Sequence, residues 1–169
     1  AKGVGLVGRK VEKRPQILTV KEIRILIEAA TKYPQPWRDV WLAALLTGMR
    51  SGEIYALLWT DVDLENRRLF VTKSYSKRTE TIGPTKAGYW REVPVNDELA
   101  RLLMELRAKN AGGAHVLPRI RDWQGGKQAK VLKTFCEVIG IPAVNFHALR
   151  ACFSTQLLRN GVEAARVMR

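Results

Sequence analysis

The chain has 169 residues, of which 46% are hydrophobic and 27% are charged, so it is long enough for one folded domain and lacks the composition of a disordered segment. Lys and Arg number 29 against 16 Asp and Glu, giving a net charge of +13, which indicates a polyanionic partner. The longest apolar stretch, VWLAALL, is too short to cross a bilayer, which excludes membrane insertion and favours nucleic acid as that partner.

The first 15 residues are rich in glycine and lysine and end in an Arg-Pro pair, which predicts a basic arm or linker remnant before a domain at 16–169. This arm has no continuous apolar core of the kind that a secretory signal contains. Cys136 and Cys152 lie in apolar helical patterns without metal-ligand spacing, so we expect buried, reduced thiols and a cytoplasmic protein.

Three helices are predicted in the first third of the domain. Thr19 and Glu22 form a capping box before the apolar positions of LTVKEIRILIEAA. The segment WRDVWLAALLTG is apolar on most sides, which predicts a central, buried helix that ends at Gly48. SGEIYALLW predicts a short helix capped by Ser51.

After Asp61 the pattern becomes typical of strands. RRLFVTKSY, TETIGPTKAG and YWREVPV are separated by turn residues and predict a small antiparallel sheet. Asp97 is predicted to cap the next helix, and further helices are predicted in the segment before Gly140, over 145–158, and again after Gly161. The predicted fold class is therefore α+β, mainly α.

Four cationic or titratable side chains lie at positions that suggest a common site: Arg50, Lys86, His147 and Arg150. Arg50 follows the end of the buried helix, and Lys86 lies at the tip of a predicted strand pair. His147 and Arg150 lie on one rim of the apolar face of the helix at 145–158. For this helix alone, a hydrogen-bonded structural histidine beside a solvated arginine is the more ordinary interpretation.

Such a set of residues suits phosphodiester chemistry. Two guanidinium groups can hold the equatorial oxygens of a phosphorane bidentately, which is a task for Arg50 and Arg150. An amine such as that of Lys86 can protonate a departing 5′ oxygen, and an imidazole such as that of His147 can exchange protons with the nucleophile. This chemistry needs no metal ion and no cofactor.

The order of these residues and their flanking motifs resembles the catalytic domain of the tyrosine recombinases, or phage-type integrases. The pattern Thr-Gly-hydrophobic-Arg-x-x-Glu, then Leu-x-Trp-x-Asp, is matched by Thr47, Gly48, Met49, Arg50, Glu53, Leu57, Trp59 and Asp61. The hairpin and His-x-Leu-Arg motifs are matched by Thr85, Lys86, Arg91, Val93 and Pro94, and by His147, Leu149 and Arg150.

The resemblance implies a mainly helical domain with a small three-stranded antiparallel sheet that embraces duplex DNA. It also implies strand cleavage and rejoining through a 3′-phosphotyrosyl link. In this interpretation Arg50 and Arg150 hold the scissile phosphate, Lys86 protonates the leaving oxygen and His147 assists proton transfer. Glu53 would orient a guanidinium, or it is simply a helix cap or surface carboxylate.

The sequence departs from the family pattern in two places. Ala151 stands where the family often has a second histidine. The family's Gly-His and its nucleophilic tyrosine are expected after 161–169, and we assign that role to none of the tyrosines present, Tyr33, Tyr55, Tyr75 and Tyr89. We therefore expect a catalytic domain that is incomplete at its C-terminus and inactive alone. Its oligomeric state stays open between a monomer and the self-association that a complete recombination complex allows.

Three alternatives stay open at this stage. A duplex-DNA-binding protein derived from a recombinase would have the same composition without catalysis. An RNA-binding domain that stacks bases on its sheet has only Tyr75, Tyr89 and Trp90 in its favour. A metal-dependent nuclease would need a carboxylate cluster that the sequence does not suggest.

Overall fold

The computed structural model describes residues 16–33, 37–86, 88–117 and 127–159, apart from the side chains of 157–159. The helices in these ranges are α1 (Val20–Lys32), α2 (Arg38–Thr47), α3 (Ser51–Ala56), α4 (Asp97–Lys109), α5 (Gln128–Val138) and α6 (Phe146–Arg159). The strands are β1 (Val62–Asp63), β2 (Arg68–Val71), β3 (Lys73–Ser76), β4 (Thr81–Pro84) and β5 (Arg91–Pro94). The predicted class, mainly helical with small antiparallel sheets, is confirmed.

Helix α2 is the central helix, as its apolar sequence predicted. Val40, Trp41 and Ala44 have no exposed surface, and α1, α4 and α6 all pack against this helix. Helix α6 contributes Leu149 and Cys152 to the same core, so its apolar face is turned toward α2. The polar rim of α6 is thereby brought to the end of α2 that precedes Arg50.

The predicted start of α1 and end of α2 are confirmed. Glu22 donates its backbone N–H to Thr19 Oγ1 at 3.3 Å, and its carboxylate accepts the Thr19 N–H at 2.6 Å, which completes the capping box. Helix α2 ends at Gly48, whose φ of 61° is the left-handed conformation that glycine adopts without strain.

Two predicted caps are wrong by one residue. Helix α3 begins at Ser51, with Arg50 as its extended N-cap residue, because Glu53 accepts the Arg50 N–H at 2.8 Å and leaves no capping role for Ser51. Helix α4 is capped by Asn96, whose Oδ1 accepts the Leu99 N–H at 2.9 Å, so that Asp97 is already its first helical residue.

The small three-stranded sheet is present, but its strands differ from those predicted. Its order is β1-β2-β5, whereas β3 and β4 form a separate antiparallel pair. The segment RRLFVTKSY divides at Thr72 because Asp61 accepts hydrogen bonds from the Thr72 hydroxyl and the Lys73 ammonium, which fixes the chain where it leaves the first sheet. The segment TETIGPTKAG supplies β4, and β1 is the third strand of the sheet.

Cys136 and Cys152 are buried and free, as predicted, and burial raises the pKa of both thiols. No helix within the described ranges is long and apolar enough to cross a membrane. The predicted arm at 1–15 and the predicted helix after Gly161 lie outside the described residues.

Candidate functional site

The turn between α2 and α3 presents Arg50 at the surface of the core. Met49, the residue before it, is buried with 1% of its surface exposed, and its N–H donates to Thr47 Oγ1 at 3.2 Å. Arg50 itself is extended, and 40% of its side chain is exposed. The turn therefore inserts one side chain into the core and directs the next toward solvent.

Glycines on both sides of Arg50 allow other elements to pack closely against this turn. A Cβ atom at Gly48 would lie less than 3.0 Å from the Phe153 ring, in α6. A Cβ atom at Gly52 would lie less than 3.0 Å from the backbone oxygen of Tyr75, in β3. Since real Cβ atoms do not come this close to their neighbours, glycine is required at both positions, and Arg50 is held between α6 and the β3–β4 pair.

Glu53 connects Arg50 to a residue of the sheet. Its Oε1 accepts from Arg50 Nη1 at 3.1 Å and from Arg91 Nη1 at 3.0 Å. Its Oε2 accepts from the Arg50 backbone N–H at 2.8 Å and from Arg91 Nη2 at 2.7 Å. The Glu53 side chain is fully buried, and only 18% of the Arg91 side chain is exposed. Glu53 thus contacts the Arg50 guanidinium and also accepts the N–H of the N-cap residue of α3, so the geometry of both predicted roles is present.

Arg150 reaches the same turn from α6. Its Nη1 donates a short hydrogen bond to the backbone oxygen of Gly48, two residues before Arg50. Burial, and then the positive charges of Arg50 and Arg91, lower the pKa of Arg150, while the negative charge of Glu53 opposes the change. Three guanidinium groups and one carboxylate therefore lie within electrostatic reach of one another.

His147 and Lys86 are linked to this cluster through the elements that carry them. His147 is exposed and lies one turn before Arg150 on α6, so the two side chains leave the helix on the same side. Lys86 is exposed in the turn between β4 and β5, five residues before Arg91. The buried Thr85 hydroxyl donates to the Tyr89 backbone oxygen at 2.6 Å and closes the base of this turn.

The cluster carries a net positive charge although its carboxylate is ionised. Burial alone would raise the pKa of Glu53, but the hydrogen bonds from Arg91 and Arg50 together outweigh burial, so that the pKa lies below its ordinary value. One anionic charge thus faces three cationic charges. An arrangement of this kind can bind an anion, and guanidinium groups suit the oxygens of a phosphate.

Arg91 is the member of this cluster to which the sequence analysis gave no role. The alternation of buried and exposed residues along β5 could have indicated a role for it. Arg91 and Val93 point to the buried side of the sheet, whereas Glu92 and Pro94 are exposed. An arginine on the buried side of a strand requires an anionic partner. Within the described ranges, no three His, Cys, Asp or Glu side chains lie close enough together to hold a metal ion.

The chain is similar to several known proteins. The sequence model of the phage integrase family matches residues 16–169. A tyrosine recombinase XerC-like protein of Caldanaerobacter subterraneus subsp. tengcongensis is 27% identical, over 94% of this chain and 47% of that protein. The chain therefore spans about half the length of the curated relatives that it matches.

Solved structures share the fold. The Tn1549 transposon integrase in complex with transposon right end DNA superposes with a TM-score of 0.79 at 20% identity, over 93% of this chain and 57% of that one. A lambda integrase dimer bound to a COC′ core site superposes with a TM-score of 0.68 at 18% identity, over 94% of this chain and 57% of that one.

Proposed function

This chain belongs to the phage integrase family, and on that premise we propose that residues 16–169 form the catalytic core of a site-specific DNA recombinase. The core binds duplex DNA and, in the complete protein, supports strand cleavage and rejoining through a 3′-phosphotyrosyl intermediate. The observation that carries this proposal is the convergence of Arg50 and Arg150, 100 residues apart, on the turn at Gly48.

The reaction begins with a tyrosine hydroxyl oxygen attacking the scissile phosphorus. The new bond joins phosphorus to the phenolic oxygen, and the bond from phosphorus to the 5′ oxygen breaks. The phenolic proton passes to a base, for which we propose His147, and the departing 5′ oxygen takes a proton from Lys86. Arg50 and Arg150 bind the oxygens on which negative charge increases during this step.

The positions of Lys86 and His147 support these roles. Both side chains are exposed, which a group needs if it is to contact a phosphate of a duplex. Lys86 lies in a turn that joins two sheets, because β4 belongs to one of them and β5 to the other. A surface site is what a duplex requires, since its phosphates cannot enter a closed cavity.

We assign the nucleophile to none of the four tyrosines in this chain. Tyr55 is buried, and its ring lies 4.6 Å from that of Tyr75, so both are packing residues. Tyr33 is the C-cap residue of α1 beside Lys32, and Tyr89 lies in the same turn as Lys86. The proposal therefore requires a tyrosine from elsewhere in the complete protein, and this chain alone is inactive.

The proposal also includes the partner of the chain and its location in the cell. The partner is double-stranded DNA, and the positive charge of the chain supports binding to its phosphates. Self-association is part of the proposal only for the complete recombination complex. The two free, buried thiols suit a reducing compartment, which supports a cytoplasmic location.

Covalent capture tests the proposal. The full-length protein is incubated with genomic duplexes that contain a nick a few nucleotides from the candidate cleavage position. Cleavage then releases a short fragment with a 5′ hydroxyl, which diffuses away and cannot be rejoined, so that the covalent species accumulates. A protein–DNA species that survives denaturant and is linked through tyrosine is the expected result. Binding of duplex without any covalent species, under all these conditions, would favour the non-catalytic alternative.

A further inference from the structure

We infer that Arg91 is a positioning residue, which fixes the Glu53 carboxylate and thereby leaves the Arg50 guanidinium oriented and free to bind an anion. The inference goes beyond the roles proposed above for Arg50, Lys86, His147 and Arg150. Its cleavage assay rests on the proposed function, but its anion-binding assay does not.

Glu53 makes stronger contacts with the Arg91 guanidinium than with the Arg50 guanidinium. Each carboxylate oxygen accepts one hydrogen bond from Arg50 and one from Arg91, and the two Arg91 bonds, at 3.0 and 2.7 Å, form a bidentate pair. The Arg91 pair uses both terminal nitrogens of its guanidinium. Arg50 gives Glu53 only one guanidinium nitrogen, at 3.1 Å, and its side chain stays 40% exposed. Arg91 is thus the stronger partner of this buried carboxylate.

Arg91 also contributes to the net charge of the cluster. Arg50, Arg91 and Arg150 contribute three positive charges and Glu53 one negative charge, so the cluster has a net charge of 3 − 1 = +2. Without Arg91 the same groups would have a net charge of +1, and among the described residues Arg50 would remain as the cation that donates hydrogen bonds to the buried Glu53. Arg50 would then be held by the protein carboxylate in competition with any anion from outside.

Arg91 also connects the three-stranded sheet to α3. Arg91 is the first residue of β5 and pairs with Val71 of β2, so it belongs to the three-stranded sheet. Glu53 belongs to α3, and the ion pair is therefore a bridge between that helix and the sheet. Because the turn that carries Lys86 leads directly into β5, the same bridge sets the position of that turn relative to Arg50.

A purely structural ion pair would stabilise the fold without acting on Arg50, and the test separates the two roles. The variants are R91Q, R91K and the double variant E53Q/R91Q. The matched control is R68Q, which removes an arginine of the neighbouring strand β2 that faces Glu92 at 3.5 Å with 54% of its side chain exposed. Thermal unfolding establishes that each variant is folded. If R91Q does not fold, R91K is compared with the wild type in its place.

The first measurement uses the full-length protein and duplex DNA under single-turnover conditions. For R91Q we expect the rate of covalent complex formation to fall about 100-fold, because small displacements of a reacting group have effects of this size. Duplex affinity should change less than about threefold, since many other cations contact the phosphates. R91K restores charge but lacks the fork, so it should recover only part of the rate. R68Q should react as the wild type does.

The double variant tests whether Arg91 acts through Glu53. If it does, E53Q/R91Q should react no more slowly than R91Q, because the neutral amide that E53Q introduces no longer competes for the Arg50 guanidinium. The single variant E53Q completes the cycle, and a double variant whose loss is the product of the E53Q and R91Q losses would show independent roles and overturn the inference. So would R91Q cleaving at the wild-type rate.

The second measurement needs no cleavage. Inorganic phosphate is titrated into the full-length protein while the arginine Nε–H signals are followed by NMR, and R91Q should weaken the response of Arg50 several-fold whereas R68Q should not. If phosphate binding depends on Arg91 but no duplex is ever cleaved, the proposed function fails and the inference stands. If cleavage occurs but neither assay responds to R91Q, the inference fails and the proposed function stands.

Discussion

The guanidinium of Arg150 donates a hydrogen bond to the backbone oxygen of Gly48, which lies 102 residues earlier in the chain. This bond satisfies a carbonyl at the C-terminal end of α2, where the helix itself offers no partner. It also places a cation at the negative end of the helix dipole. One side chain therefore anchors α6 to the turn that carries Arg50 and adds its charge to the arginine cluster.

Replacing either clamping arginine should affect cleavage far more than binding. For R50A and for R150A we expect the full-length protein to lose about 3–4 kcal/mol of transition-state stabilisation, because in the proposed mechanism each guanidinium binds the charge that develops on the phosphate. The measurements are single-turnover cleavage and duplex affinity. R101A, at an exposed arginine of α4, is the control. Equal losses of cleavage and affinity in R50A and R150A would make these ordinary binding residues.

Gly48 should not tolerate alanine. The change G48A places a Cβ at a φ of 61° and against the Phe153 ring, so we expect the free energy of unfolding to fall by about 2–4 kcal/mol. Urea denaturation measures this loss. G83A is the control, because Gly83 lies in β4 with open space around its Cα and should change stability by less than about 0.5 kcal/mol. A G48A protein as stable as G83A would refute the packing described for this turn.

Glu53 should make stability depend on pH in acid. Its pKa lies below its ordinary value in the folded protein, so its contribution is complete above the unfolded pKa, about 4.3, and is lost as the pH falls through the folded pKa. The wild type should exceed E53Q by about 3 kcal/mol at neutral pH. We expect this difference to be constant above about pH 5 and to shrink below it. Urea denaturation from pH 3 to 8 gives both curves, and a difference that grows in acid would contradict the assignment.

Duplex binding should weaken steeply with salt. A protein that contacts four or more phosphates shows a slope of about −4 or steeper when the logarithm of the association constant is plotted against that of the salt concentration. Fluorescence anisotropy with a short labelled duplex measures the slope. A nearly flat response would remove nucleic acid as the main partner of this +13 chain.

Signals that are local in the sequence predicted the fold well. The capping box at Thr19 and Glu22 and the left-handed glycine at the end of α2 each depend on a few adjacent residues, and both are confirmed. The cap of α4 was misplaced because Asn96 and Asp97 are both good caps. The tertiary structure decides between them, since Val95, directly after β5, is still held by a hydrogen bond from its N–H to the Arg67 backbone oxygen, and Asn96 is the residue that follows.

Contacts between distant residues could not be predicted in the same way. Helical spacing gave the shared rim of His147 and Arg150, and the motif order suggested that Arg50 belonged with them. The pairing of Glu53 with Arg91 joins residues 38 apart in a helix and a strand, and no periodicity links those elements. The division of the strands at Thr72 depends likewise on Asp61, which lies 11 residues away.

Two residues of α6 hold the same glycine: Arg150 bonds its carbonyl oxygen, and Phe153, three residues later, covers its α-carbon. Residues three apart lie on one side of a helix, so any rotation of α6 about its axis would break both contacts together. The structure of the turn that carries Arg50 therefore depends on the position of α6. A displacement of α6 would move Arg150 away from the Gly48 carbonyl and break up the arginine cluster.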